Sequence, residues 1–301
     1  MLYAIPYMGS KRKLSSRIVD YILEMNPDTK YVYDLFGGGG AISFEFLQRK
    51  NINRIVYNEL NTGVCELLKD IQKNGVTEKY NQWIDRETFL AHKTDNDWFG
   101  GLCKCIWSFG NNQKSYIFGR YIEELKKTAH LYLFEHGYTL GDKEKRIKLI
   151  KQFKNDKEIH GRFKLQQIEQ LERLKQLEQL EQLQRLEQLE RLQQLERLQR
   201  LEISNLSYDE VKIAHPINET IIYLDPPYKN TGEYQHKLDH YKLYEYIKNS
   251  QYKIYMSSYE SSLIECKSFI HRSTLNPTAN NKVTEKLFTN SNDDRTKAYL
   301  F

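Results

Sequence analysis

An apolar, aromatic-rich run, Tyr31–Phe36, ends in four consecutive glycines, Gly37–Gly40, which open onto a second apolar segment, Ala41–Gln48. That order predicts a buried strand, a tight turn and a helix. The glycines allow the sharp turn and let a ligand come close to the backbone. The pattern then recurs, with Arg54–Asn58 as a second strand and Asn61–Lys73 as a second helix. A strand–helix–strand rhythm of this kind builds a parallel, doubly wound sheet. Before it, Leu14–Met25 has helical apolar spacing and stops at Asn26 and Pro27. After a long interruption, roughly 100–205, Thr220–Leu224 and Tyr252–Met256 return to strand character. The expected class is α/β, with a Rossmann-like sheet interrupted by an inserted, mainly helical region.

The interruption has three parts. Trp98–Gly119 is rich in glycine, asparagine and aromatics, which predicts loops. Lys143–Lys157 carries seven basic residues against two acidic ones. From Leu165 to Glu202 an apolar residue recurs at every third position, almost always leucine, among glutamate, glutamine and arginine. These are good helix formers. A period of three is not a heptad, however, and each triplet falls about 60° short of a full α-helical turn. The leucines would spiral over every face of an α-helix, whereas a 3₁₀-helix would align them in one row. An α-helix, a 3₁₀-helix, a threefold or solenoid packing and disorder all stay open. The repeat reads as an insertion tolerated in a surface loop, with a spacer or an oligomerisation arm as the alternative. The expected division is therefore a catalytic domain in 1–105 and 205–301, a DNA target-recognition region in 106–164, and a repeat insertion in 165–204.

The repeat also hides charge. The 301 residues carry a formal net charge of +5, but the repeat holds −2 of it, leaving +7 on the remainder. A basic remainder favours an acidic partner. No run of about 18 apolar residues exists to cross a membrane. Met1–Lys13 lacks the apolar run and cleavage site of a secretory signal. The four cysteines, Cys65, Cys103, Cys105 and Cys266, form no paired Cys-x-x-Cys hooks, so neither zinc nor a disulfide framework is expected. A cytoplasmic location with reduced thiols follows as the expectation.

Four motifs could carry chemistry. Asp34 stands at the carboxyl end of a strand, just before the glycines, where open α/β sheets bind ligands. The turn lacks the Gly-Lys-Ser/Thr ending of a phosphate-binding P-loop. Glu59 follows the next strand about 20 residues beyond the glycines, the place of a ribose-binding acid in nucleoside-binding folds; a plain strand-end glutamate would look the same. Asp225-Pro226-Pro227-Tyr228 follows the buried strand Thr220–Leu224. Its prolines stiffen the turn and remove donors, leaving the carboxylate and carbonyls as fixed acceptors for an exocyclic amino group. Tyr228 adds a ring on which a planar base can stack. At the start, Pro6–Leu14 joins a glycine turn to a basic cluster, Lys11, Arg12 and Lys13, that opens a helix. Basic residues there oppose the helix dipole, a conflict that an anionic partner would relieve.

The order of these motifs strongly resembles the Dam-type (D12 class) DNA adenine-N6 methyltransferases of bacteria and phages. The resemblance covers roughly residues 3–75 and 218–301. It implies an enzyme that transfers a methyl group from S-adenosyl-L-methionine to an adenine flipped out of double-stranded DNA, with no metal. It would place Tyr7, Gly9, Lys11, Asp34, Phe36, Gly37, Gly39, Glu59 and Asp225 around the cofactor. Glu59 stands where many relatives have aspartate. Asp225, Pro226, Pro227 and Tyr228 would hold the target base. Lys11, Arg12, Asn111, Asn112, Lys114, Arg146, Lys148 and Lys151 are candidates for contacts to DNA; for the asparagine cluster an ordinary polar turn is an equal reading. The rivals are a cytosine-N4, RNA-base or protein-glutamine methyltransferase, and an inactive DNA-binding scaffold that works through its repeat.

Overall fold

The glycine-rich turn leaves an inner strand of a seven-stranded sheet. In this computed structural model, the described residues are 4–156, 159, 181–193, 198–227, 238–259, 261, 263–272 and 282–291. They divide into two units. One combines 10–61 with the residues from 198 onward; the other combines 4–9 with those between 62 and 193.

The first unit holds the sheet, whose strands are β1 (Tyr31–Asp34), β2 (Arg54–Asn58), β3 (Leu201–Ser204), β4 (Thr220–Leu224), β5 (Lys253–Ser258), β6 (Ile264–Arg272) and β7 (Lys282–Thr289). Their spatial order is β3-β2-β1-β4-β5-β7-β6. The first five run parallel, and β7 is antiparallel to both β5 and β6. Three helices of this unit are α1 (Ser15–Met25), α2 (Ala41–Leu47) and α9 (His240–Asn249). Side chains alternate across a strand, so Tyr33, Leu35, Ile222, Leu224, Ile254 and Met256 share one face, where Leu243 and Ile247 of α9 join them. On the other face Asp34 bonds to Ser43 of α2. Helices on both faces explain why β4 is buried along its whole length and reads as an unbroken apolar run. This mixed α/β sheet is consistent with a methyltransferase fold.

The chain passes from β1 outward to β2 and β3, then returns beside β1 as β4. The gap between the carboxyl ends of β1 and β4 is thus a topological switch point, the usual ligand crevice of an open α/β sheet.

The described part of the second unit is mainly helical: α3 (Thr62–Asn74), α4 (Arg86–His92), α5 (Trp98–Ile106), α6 (Arg120–Glu135), α7 (Lys143–Asn155) and α8 (Glu181–Gln193). The unit begins after Asn61 rather than near 105, because α3 packs on α5. Their glycines permit that approach. A β-carbon on Gly101 would lie 2.0 Å from the Gly63 carbonyl oxygen. This corrects the loop expected across Trp98–Gly119: its first nine residues form α5, N-capped by Asp97, which accepts from Gly100 N at 2.8 Å. The glycines serve close packing rather than irregular chain.

The repeat also departs from expectation. Residues 165–180 and 194–197 lie outside the described residues. Within α8, however, Leu183, Leu186 and Leu189 are fully buried, and Arg185 and Glu187 between them are buried too. A triplet period on an α-helix distributes leucines around its surface, and here the buried positions cover more of the helix than a single stripe would. The end of the repeat is not insertion at all. Leu201–Ser204 is β3, paired in parallel with β2 at the edge of the sheet. Two repeat arginines seal helix ends. Arg185 donates to the carbonyl of Ile106, the last residue of α5, and Arg200 donates to that of Leu47, the last residue of α2.

Candidate functional site

Three carboxylates stand at the carboxyl ends of three adjacent parallel strands: Asp34 ends β1, Glu59 follows β2 and Asp225 follows β4. Asp34 is 1% exposed. Its Oδ2 accepts from Ser43 Oγ at 2.7 Å, while Oδ1 is buried without a hydrogen-bond partner among the described residues. Burial, with the charges of Asp225 and Glu59, pushes its carboxyl up to about 7, against the opposing Ser43 bond. Such a group seeks a cationic or donor partner.

Glu59 holds the glycine turn. Its Oε2 accepts from Gly38 N at 2.8 Å and its Oε1 from Asn61 N at 2.9 Å. The left-handed residues of the turn are Gly38 (φ 50°) and Gly40 (φ 72°) rather than Gly39. Gly37 is needed for space, since a β-carbon there would lie 2.2 Å from the Tyr57 ring. Phe36 stacks on Tyr208, with ring centroids 5.4 Å apart.

Lys11 lies in a single 3₁₀ turn, Lys11–Lys13, and reaches Asp225. Its Nζ is 2.8 Å from Asp225 Oδ1 and 3.8 Å from Glu285 Oε1. Burial works against the ammonium, but the two carboxylates outweigh it and hold Lys11 above the usual lysine range. Arg12 is half-buried, and its carbonyl accepts from Ser15 Oγ at 3.3 Å. Pro226 is buried and Pro227 half-buried, while Tyr228 lies outside the described residues.

Sequence reasoning missed Glu285 of β7, which is 3% exposed. A signal was there. Glu285 alternates with buried Leu287 on a strand, and an inward carboxylate needs a partner. Ser43 was also missed.

The other candidates belong to the second unit. Tyr7 is half-buried, and Gly9 makes a left-handed turn at φ 76°. Asn111 is left-handed at φ 59°, and Asn112 Oδ1 accepts from the backbone N of Lys114 and Ser115, both at 2.9 Å. Phe109 beside them is 63% exposed. Lys148 and Lys151 are exposed on α7, opposite buried Leu149, Ile150 and Phe153. Arg146 departs from the expected phosphate contact. It is buried, and its Nη1 lies 2.6 Å from Glu187 Oε1, an atom that also accepts from Tyr138 OH at 2.7 Å. Its guanidinium is committed to the interior.

Among the described residues, no group of three or more His, Cys, Asp or Glu side chains could hold a metal ion. No described helix is long and apolar enough to cross a membrane. The four cysteines are buried and none is joined in a disulfide among the described residues.

The model of one protein family, the D12 class N6 adenine-specific DNA methyltransferases, matches residues 7–292. The chain belongs to this family. A D12 class enzyme methylates adenine N6 in DNA, with S-adenosyl-L-methionine as the family's methyl donor. Membership sets aside cytosine N4, RNA bases and protein glutamine as targets. No curated protein matches the chain.

Proposed function

We propose that the crevice beyond β1, β2 and β4 binds S-adenosyl-L-methionine and an adenine flipped out of duplex DNA, and that Asp225 directs methyl transfer to N6. The observation that carries this reading is the set of three carboxylates, Asp34, Glu59 and Asp225, at the switch point, with Lys11 paired to Asp225. The residues present suit the cofactor. The unpartnered Oδ1 of buried Asp34 suits a cationic group, and Glu59 stands where a ribose would be bound. When bound, the cofactor supplies a methyl group already activated on a sulfonium.

The protein's task is then positioning and electrostatics. The adenine N6 lone pair is delocalised into the ring. Asp225 and the Pro226 carbonyl would accept hydrogen bonds from the two N6–H groups and favour a tetrahedral nitrogen whose lone pair can take the methyl, and the N6 proton shed in the transfer would leave by way of Asp225. Lys11, 2.8 Å from Oδ1, holds the Asp225 carboxylate in place as an acceptor. The target base is out of reach inside a duplex, so it is flipped out, and Tyr228 stacks on it. The family resemblance also assigns Tyr7 and Gly9 a role toward the cofactor. Arg12, Asn111, Asn112, Lys114, Lys148 and Lys151 meet DNA. Apart from Arg12, we assign these DNA contacts to the helical unit, and methyl transfer to the sheet unit.

The direct test is incorporation of labelled methyl groups into duplex DNA, with the modified base identified by mass spectrometry. N6-methyladenine is the expected product, and its absence with bound cofactor would overturn the reading.

A further inference from the structure

The leucine-triplet repeat is the prominent sequence feature that the proposed chemistry leaves unused. In α8 its Arg185 is buried, 8% exposed. One nitrogen, Nη1, donates to Ile106 O at 2.9 Å and to Ser108 O at 2.7 Å. Ile106 ends α5, where carbonyls lack partners within the helix and carry the negative end of its dipole. A guanidinium placed there satisfies both needs.

Ser108 opens the turn that carries Asn111, Asn112 and Lys114. Ser108 bridges to Tyr116, Phe109 N donates to Ser115 O at 2.7 Å, and Ile117 N donates to Trp107 O at 2.9 Å. Within the turn Gly110, Asn111 and Gln113 all adopt left-handed conformations, with φ of 55°, 59° and 60°. Left-handed Asn and Gln are strained and persist only where the surroundings fix them. The turn's base, at Ile106 and Ser108, is where α8 grips it. Arg146 of α7 and Tyr138 meet Glu187, two residues further along α8, so the repeat is itself anchored from a second side.

We propose that Arg185 is a positioning residue for DNA recognition: from the repeat, it holds the 108–116 turn in the shape that presents Asn111, Asn112 and Lys114 to DNA. This rests on the reading above that the turn meets DNA. The repeat is then a working part of the recognition unit rather than cargo in a loop.

The test compares Arg185→Met and Arg185→Lys with the wild type, in the full chain. It uses amide hydrogen exchange, cofactor titration, and steady-state kinetics on duplex DNA. For Arg185→Met, the Phe109 and Ile117 amides should exchange about ten-fold faster. KM for DNA should rise roughly ten-fold, while kcat at saturating DNA and cofactor affinity stay within about two-fold. Arg185→Lys keeps the charge and should recover part of both effects. Unchanged exchange at these amides, or equal losses in kcat, DNA binding and cofactor binding, would overturn the proposal. If Arg185→Met does not fold, Arg185→Lys decides, with faster exchange and a raised KM for DNA expected and wild-type values fatal. Asn112→Ala separates the two readings. Unchanged DNA affinity in that variant means the turn does not meet DNA, whereas unchanged exchange in the Arg185 variants means that Arg185 does not hold it.

Discussion

Asp34 and Asp225 show how differently two carboxylates of one crevice are treated. Asp225 has a lysine at 2.8 Å, while Asp34 is 1% exposed and has the Ser43 hydroxyl at 2.7 Å. Burial raises the Asp34 carboxyl to about 7 in the folded chain, above its value of 3.8 in the unfolded one. The folded state therefore holds that proton more tightly. The resulting stabilisation is full below about pH 4 and lost as pH climbs through about 7, an effect on the order of 4 kcal/mol. Asp34→Asn should flatten this part of the profile, so that its melting temperature falls less than the wild type's between about pH 5 and about pH 8. A parallel fall in both proteins would refute it. Asp225→Ala should lower methyl transfer by at least about a thousand-fold while cofactor binding survives in part, read by methyl incorporation and calorimetry. Full activity in that variant would sink the mechanism. At this scale the sequence was informative where a residue's neighbours along the chain define its place. Asp34, Glu59 and Asp225 each end or follow an apolar strand. The Lys11–Asp225–Glu285 cluster joins three distant segments, so neither the pairing nor Glu285 could be read from local pattern.

Elements were legible where apolar period and buried length agree. Strand β4 coincides with the run Thr220–Leu224, and β2 with Arg54–Asn58. Helix α5 was not, because its glycines signal a loop locally and gain their purpose only from α3. Gly101→Val should therefore destabilise the helical unit by about 3 kcal/mol, through overpacking against Gly63, as measured by thermal or denaturant unfolding. In α8, Leu186→Ala should cost about 2–5 kcal/mol, since Leu186 is fully buried. A surface insertion would predict almost no loss, so this measurement distinguishes the two descriptions. β3 escaped notice because Leu201 completes the triplet pattern while its backbone pairs with Ile55. β6 and β7 alternate less cleanly in sequence and were not assigned at all.

For the molecule as a whole, charge bears most on the encounter with DNA. The chain outside the repeat carries +7, and exposed Lys148 and Lys151 lie on the polar face of α7. Replacing both with glutamate should weaken DNA binding at low salt. It should also reduce the slope of log affinity against log salt by about one for each phosphate no longer neutralised, measured by fluorescence anisotropy. Arg146, read from sequence as part of the same cluster, should not share this behaviour, because Glu187 occupies it. Total charge was legible in the sequence, but which cations face outward depended on the fold. The repeat has one more consequence. Leucines at every third position are interchangeable rungs, so a helix slipped by three residues would bury the same apolar set. Charges break that degeneracy. A slip of three would put Gln182 or Gln188 in the place of Arg185 and leave the Ile106 and Ser108 carbonyls facing an amide. Arg185 and Glu187 thus act as the index marks of an otherwise unnumbered scale, and they select one alignment during folding from several that the leucines alone would accept.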